Sequence, residues 1–224
     1  STLMRSSAAS DVYKRQVVNK KTAPRISRIY EQYRKWGFSY QQYIACLDSL
    51  ENDGRGGEYG LEPEVYGRFL IDLFELWYMD YRKGRQPYIR QFENYIAILM
   101  GSYPDACEQN GVCGLQNVVE ADGSVYPCDF YVLDGYGIGN LNQNSFAEIY
   151  EKRAVSGFVE NSRNQTARCK NCRYYFVCRG GCHRNRVEEE QGQAVNCFCK
   201  SYQMFFDRCY DRLCRIAEEL SFGN

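Results

Sequence analysis

Seven cysteines stand at Cys107, Cys113, Cys128, Cys169, Cys172, Cys178 and Cys182, and a close pair follows at Cys197 and Cys199. Written as spacing, they read CX5CX14C, a gap, CX2CX5CX3C, a second gap, then CXC. The seven plus one of the last pair make eight, enough for two four-thiolate sites. Zinc and iron-sulfur clusters both accept four thiolates, so spacing has to discriminate between them. A structural zinc ribbon offers two CxxC knuckles, and here only Cys169 and Cys172 form one. The remaining short intervals suit a larger cluster, whose ligands must reach separate corners. The competing reading is a zinc-stabilised interaction module without chemistry, and colour separates the two, because zinc thiolates are colourless. In a reducing compartment, twelve cysteines at such spacings point to metal or cluster ligands rather than disulfides.

The residues among these cysteines add detail. In CRGGC, residues 178 to 182, two adjacent glycines let the backbone turn and come close to a bound cluster. Arg179, Arg184 and Arg186 either offset the negative charge of ligated clusters or form a solvated basic edge. His183 is the only histidine, and it is not needed as a ligand where cysteines complete two sites. Cys46, Cys209 and Cys214 are left over; Cys209 is expected to pack as a small hydrophobe on the inward stripe of the last helix, and Cys46 to pack in the core, the alternative being that it lines the active-site end of a strand.

The elements that must position these groups fit a chain of 224 residues, long enough for one or two domains with a real core. Lysine plus arginine and aspartate plus glutamate both total 28, so the formal net charge is zero and no nucleic-acid or membrane field is implied. No apolar run reaches the roughly 18 residues of a membrane span, and the start, STLMRSSAAS, lacks the apolar stretch of a signal peptide. The expectation is a soluble, cytoplasmic protein.

Residues 1 to 16, STLMRSSAASDVYKRQ, show no period, and SSAASDVYKRQ resembles an adapter-derived tract translated at the ends of metagenomic assemblies. They are set aside as a non-native tract, with the true chain cut upstream. VVN at 17 to 19 then reads as a strand end. Pro24 opens a helix carrying Ile26, Ile29, Tyr30 and Tyr33 on one face and ending at Gly37. FSYQQYIACL reads as a strand, followed by the loop DSLENDGRGGEYG. A second helix from Pro63 turns Val65, Phe69, Leu73, Leu76 and Trp77 inward before Gly84. PYIRQF gives a strand and NYIAILMG a short helix. This α/β order implies parallel pairing, with two or three units, too few to close an eightfold barrel. From Cys107 the character changes, and the domain boundary is placed near 106. VVEADGSVYPC forms a hairpin around Asp122-Gly123. Ser145 and Glu148 make a capping box. SYQMFFDRCYDRLCRIAEEL forms a last helix with Tyr202, Phe205, Phe206, Cys209, Leu213, Ile216 and Leu220 on one side.

The cysteine series, with PCDFYVLDGYGIGN, NCRYYFVCRGGCHRNR and NCFCKSYQMFF around it, resembles the SPASM domain of radical SAM peptide-modifying enzymes, and in particular the anaerobic sulfatase-maturating enzymes. QYIACLD and LEPEVYGRFL resemble that family too, so the likeness runs from about 17 to 220. It implies a partial radical SAM (β/α) barrel over 17 to 106, then a SPASM domain and C-terminal helix over 107 to 224. It assigns Cys107, Cys113, Cys128 and Cys182 to a first auxiliary [4Fe-4S] cluster, and Cys169, Cys172, Cys178 and Cys199 to a second. Cys199 is taken over Cys197 because it directly precedes KSY. By crossing between segments, Cys182 would couple cluster binding to folding.

The resemblance also implies that Asp129, next to Cys128, is the general base in oxidation of a sulfatase cysteine or serine to Cα-formylglycine. A neighbouring anionic cluster and partial burial would both raise a carboxyl pKa and suit that role; the alternative is a loop aspartate accepting backbone hydrogen bonds. The family holds S-adenosylmethionine (SAM) on a third [4Fe-4S] cluster through CX3CX2C, which occurs nowhere in this chain. The chain alone is therefore expected to be inactive, a C-terminal fragment lacking that half. Its partners would be an unfolded sulfatase peptide and an electron donor such as flavodoxin or ferredoxin. A SPASM maturase of another ribosomal peptide remains the second reading.

Overall fold

The computed structural model describes residues 13–47, 57–189 and 193–222. Most of the loop expected after the second strand lies outside them.

Three parallel strands form the first sheet in the order β1 (Tyr13–Val18), β2 (Tyr40–Ala45), β3 (Tyr88–Ile89). β1 and β2 pair from Tyr13 against Tyr40 to Val18 against Ala45. Helix α1 (Ile26–Lys35) connects β1 to β2, and α2 (Pro63–Tyr81) connects β2 to β3. This is the strand-helix-strand order expected from the sequence. Pro24 initiates a 3-10 turn, Ala23–Arg25, that leads into α1, and Ile26, Tyr30 and Tyr33 are buried as their spacing implies.

Three local expectations are corrected. β1 reaches back to Tyr13, so Tyr13–Gln16, part of the tract set aside, belong to a paired strand rather than lying outside the fold. The strand assigned to PYIRQF holds only Tyr88 and Ile89, because α3 (Arg90–Leu99) begins at once. Asn94 on the first turns of that helix exchanges hydrogen bonds with Asp105, and Arg90 pairs with the same carboxylate, so the loop ahead of Cys107 is held against α3. Leu220 is 42% exposed, since the last helix has by then run past its partner.

Beyond position 106 a second sheet runs antiparallel: β4 (Val118–Val119), β5 (Ser124–Tyr126) and β6 (Gly139–Asn140). Asp122-Gly123 makes the first turn, with Gly123 at φ +85° and the Ser124 amide donating to Asp122 Oδ1 at 2.9 Å. Helix α4 (Phe146–Ser156) opens on Ser145 and Glu148, and both bonds of the capping box are present. A further hairpin, β7 (Arg186–Glu189) and β8 (Gln193–Asn196), delivers the chain to α5 (Cys199–Phe222).

α5 packs along α2 and α3, so one hydrophobic core runs through both parts of the chain. Phe205 is fully buried, its ring 5.8 Å from those of both Phe74 and Phe92. Cys209, Leu213 and Ile216 continue the stripe. Gly67 allows the close approach of the two helices: a Cβ there would stand 2.9 Å from Met204 Sδ and 3.1 Å from Ser201 Cα. Arg212 clamps the far end through two 2.7 Å bonds to the Glu75 carboxylate. This packing fixes the start of α5, and hence Cys199, against the strand-helix units. Among the described residues no helix is long and apolar enough to cross a membrane.

Candidate functional site

The cysteines are carried by one-turn elements and loops that local sequence chemistry stops early. Cys107 opens a single helical turn, Cys107–Asn110, that ends on Gly111 at φ +69°. Cys113 follows in the loop, its amide donating to Ser162 Oγ at 2.9 Å. Cys128 leaves β5 and precedes the 3-10 turn Asp129–Tyr131. Thr166 caps the turn bearing Cys169, accepting from the Cys169 amide. Cys178 closes another turn, after which Arg179, Gly180 and Gly181 all take positive φ.

The eight thiols divide between two cavities. Cys169, Cys172, Cys178 and Cys199 line one of about 40 Å³, together with Tyr174, Tyr175 and Tyr202. Cys107, Cys113, Cys128 and Cys182 line another of about 280 Å³, which also takes in Asp129, Glu108 and residues of β2 such as Gln42 and Ile44. Cys182 thus sits with the thiols distant in sequence, while Cys178, four residues earlier, sits in the other cavity. Cys197 lines neither; it faces a third cavity of about 600 Å³ with Cys46, Lys20 and Glu62. Cys46 is accordingly corrected: it lies just past the C-terminal end of β2, on a cavity wall rather than in packed core. Cys209 is fully buried, and Cys214 half-buried, in α5.

The double glycine has a geometric reason. Gly180 takes φ +77°, which L side chains rarely adopt, and a Cβ on Gly181 would collide with the Asn196 side-chain amide. That amide is committed to the loop, since Asn196 Nδ2 donates to the Gly180 carbonyl at 3.2 Å. Gly181→Ala, with its φ of +64°, is expected to cost about 2 kcal/mol or more in urea unfolding. A loss below about 0.5 kcal/mol would mean the loop is not constrained as described.

The arginines separate by role. Arg186 donates to the carbonyls of Ser162, Gly111 and Gly181, tying three loops together, so it is a scaffold residue rather than a solvated edge. Arg179 donates to Phe176 and reaches Asn110. His183 stacks on Tyr131, with ring centres 6.0 Å apart, and lies outside both four-thiol cavities.

Burial pushes the thiol pKa of both Cys128 and Cys178 up to about 12, and raises those of Cys107, Cys113, Cys169 and Cys182. Four such thiols on one cavity ionise together only against a strongly cationic occupant. A single zinc ion needs its four sulfurs about 2.3 Å from one point. Among the described residues no group of three or more His, Cys, Asp and Glu side chains converges to hold one metal ion. The four thiols on the cavity of about 280 Å³ fit a polynuclear iron-sulfur cluster by donor set and by room, and the four on the smaller cavity fit one by donor set.

Asp129 lies in the wall of the larger cavity and accepts from Cys128 Sγ at 3.3 Å. It is exposed, which corrects the expected partial burial: it starts a turn at the cavity mouth, with Phe130 exposed beside it and Tyr131 buried behind. One feature had no sequence signal at all. Tyr202 Oη donates to Glu108 Oε1 at 2.7 Å across 94 residues of sequence.

The chain is similar to known proteins of one family. A family model for SPASM, an iron-sulfur cluster-binding domain, matches residues 112–173, which include Cys113, Cys128, Cys169 and Cys172. The Cysteine-type anaerobic sulfatase-maturating enzyme of Clostridium novyi (strain NT) is 40% identical over 207 residues, covering 92% of this chain and 55% of its own length. That of Clostridium perfringens (strain 13 / Type A) is 37% identical over 205 residues, covering 91% and 55%. The Serine-type enzyme of Bacteroides thetaiotaomicron is 28% identical over 157 residues, covering 69% and 37%. Native anSMEcpe with bound AdoMet superposes with a TM-score of 0.85 at 35% identity, over 92% of this chain and 56% of that one. The same enzyme with bound AdoMet and Kp18Cys peptide gives 0.86. The chain spans about half the length of the curated relatives it matches. With the SPASM match and relatives that cover nine-tenths of its residues at 35–40% identity, the chain belongs to the anaerobic sulfatase-maturating enzymes, radical SAM proteins with a SPASM domain.

Proposed function

We propose that this chain supplies the auxiliary-cluster part of an enzyme that oxidises a peptidyl cysteine or serine of a sulfatase to Cα-formylglycine. The observation that carries the reading is the sorting of eight thiols into two cavities, with a carboxylate, Asp129, in the wall of one and the strand residues Gln42 and Ile44 opposite. Cys107, Cys113, Cys128 and Cys182 would hold one [4Fe-4S] cluster, and Cys169, Cys172, Cys178 and Cys199 the other. When bound, such clusters supply one-electron transfer.

The chain's own residues do the rest. Asp129 is the general base: its exposed carboxylate at the cavity mouth takes the proton from the substrate thiol or hydroxyl. The substrate peptide lies along the open side of that cavity, between Asp129 and β2. A solved relative with bound Kp18Cys peptide supports a peptide as substrate, and the cysteine-type relatives are the more similar, at 36–40% identity against 24–28% for the serine-type, which favours cysteine as the residue modified. The electron carrier is of the flavodoxin or ferredoxin kind. SAM and a third cluster belong to a CX3CX2C segment that this sequence lacks, so the 224 residues alone are inactive in formylglycine formation.

The test is metal and sulfide content after anaerobic reconstitution of the chain, with its absorption spectrum. About eight irons and eight sulfides, with broad brown absorption near about 400 nm, are expected. About two zincs and no colour would sink the cluster assignment, and the role of Asp129 with it.

A further inference from the structure

The two four-thiol cavities are joined by one side-chain hydrogen bond. Tyr202 lies three residues past Cys199, on the first turn of α5, and lines the cavity of Cys169, Cys172, Cys178 and Cys199. Glu108 directly follows Cys107 and lines the other cavity. Tyr202 Oη donates to Glu108 Oε1 at 2.7 Å, and Tyr202 is only 3% exposed. The tyrosine ring also touches the turn that delivers Cys182: a Cβ on Gly181 would lie 3.7 Å from its Cε2. Behind it, Tyr66 meets the Tyr202 ring edge-on at 6.2 Å and fixes its plane.

A buried bond of this kind acts in a low dielectric, where hydrogen bonds and charges are felt more strongly than in water. Reduction potentials of iron-sulfur sites respond to nearby charge, hydrogen bonding and solvent exposure. A hydroxyl that donates to the Glu108 carboxyl group fixes where that group's oxygens stand at the cavity wall, and so what local field an electron arriving there meets.

We infer that Tyr202 and Glu108 are positioning residues that couple the two cluster sites, the Tyr202 hydroxyl holding the Glu108 carboxyl group at the wall of the site of Cys107, Cys113, Cys128 and Cys182 so that the reduction potential of that site depends on the bond. This rests on the reading of both cavities as cluster sites.

The experiment is a reductive titration of the anaerobically reconstituted chain, followed by absorbance and by electron paramagnetic resonance, with iron content measured first. Tyr202→Phe keeps the ring and its packing and removes only the donor. Its iron content is expected to match the parent chain, while the reduction equilibrium of one cluster moves about tenfold, about 59 mV for a one-electron couple. In a Glu108→Gln background the same Tyr202→Phe change is expected to move the equilibrium less than about twofold, because the two side chains act through one bond. Full iron with an unmoved potential, or an equal shift in both backgrounds, would overturn the coupling and leave the cluster reading intact. A parent chain that binds no iron would instead bring down the cluster reading, and the coupling with it.

Discussion

Asp129→Asn, introduced into a full-length maturase carrying this segment, is expected to cut formylglycine formation by at least about 100-fold while SAM cleavage continues. Asparagine has nearly the same shape as aspartate, so the turn Asp129–Tyr131 should fold as before. What disappears is the basic carboxylate, and general bases contribute about 10²–10⁴-fold to such steps. Iron content provides the control, because Asp129 follows Cys128 directly and a displaced ligand would lower it. Product assayed by mass spectrometry on a cysteine peptide, beside 5′-deoxyadenosine release, separates the two activities. Normal product with normal iron would leave Asp129 as a loop residue and move the base elsewhere in the cavity wall.

Sequence made some of this architecture readable because the signals are local. The helix faces of α1 and α2 follow from apolar spacing, and the turn at Asp122-Gly123 and the cap at Ser145 follow from residue types within four positions. The cysteine groups were legible through a motif, with Cys182 assigned away from its neighbours by resemblance and placed away from them in space by the fold. Features set by distant partners were not legible. Tyr13–Gln16 show no apolar period, yet they pair along β2, and an edge of a parallel sheet needs no alternation when its partner supplies the register. PYIRQF has strand-forming residues, but the bonds from Arg90 and Asn94 to Asp105 start α3 early. Cys46 looked like core because its neighbours are apolar, whereas the strand ends there and opens on a cavity. The bond from Tyr202 to Glu108 joins residues 94 apart, which no window of sequence reports.

The crossing of Cys178 and Cys182 between cavities makes the largest difference in metal content. The single variants Cys178→Ala and Cys182→Ala are each expected to lose about four of about eight irons, which does not reveal whether they serve one site or two. The double variant Cys178→Ala/Cys182→Ala does reveal it: with the thiols divided as the cavities divide them, it should lose nearly all iron. Cys178→Ala/Cys199→Ala removes two thiols from one cavity and should keep about four irons. A grouping by sequence proximity predicts the reverse for the first pair, with about four irons retained. Cys197→Ala serves as the internal control, since Cys197 faces the third cavity and its removal should leave the iron count unchanged. Because Cys182 joins the turn after Gly181 to the loops of Cys107 and Cys128, losing it also removes a tie between segments 75 and 54 residues apart, where the entropy of closing the chain is greatest. Cys182→Ala should therefore lower the unfolding midpoint of the reconstituted chain more than Cys199→Ala, whose helix remains anchored by Phe205, Leu213 and Arg212. Equal midpoints would mean that the core between α2 and α5, rather than the metal sites, holds these loops in place.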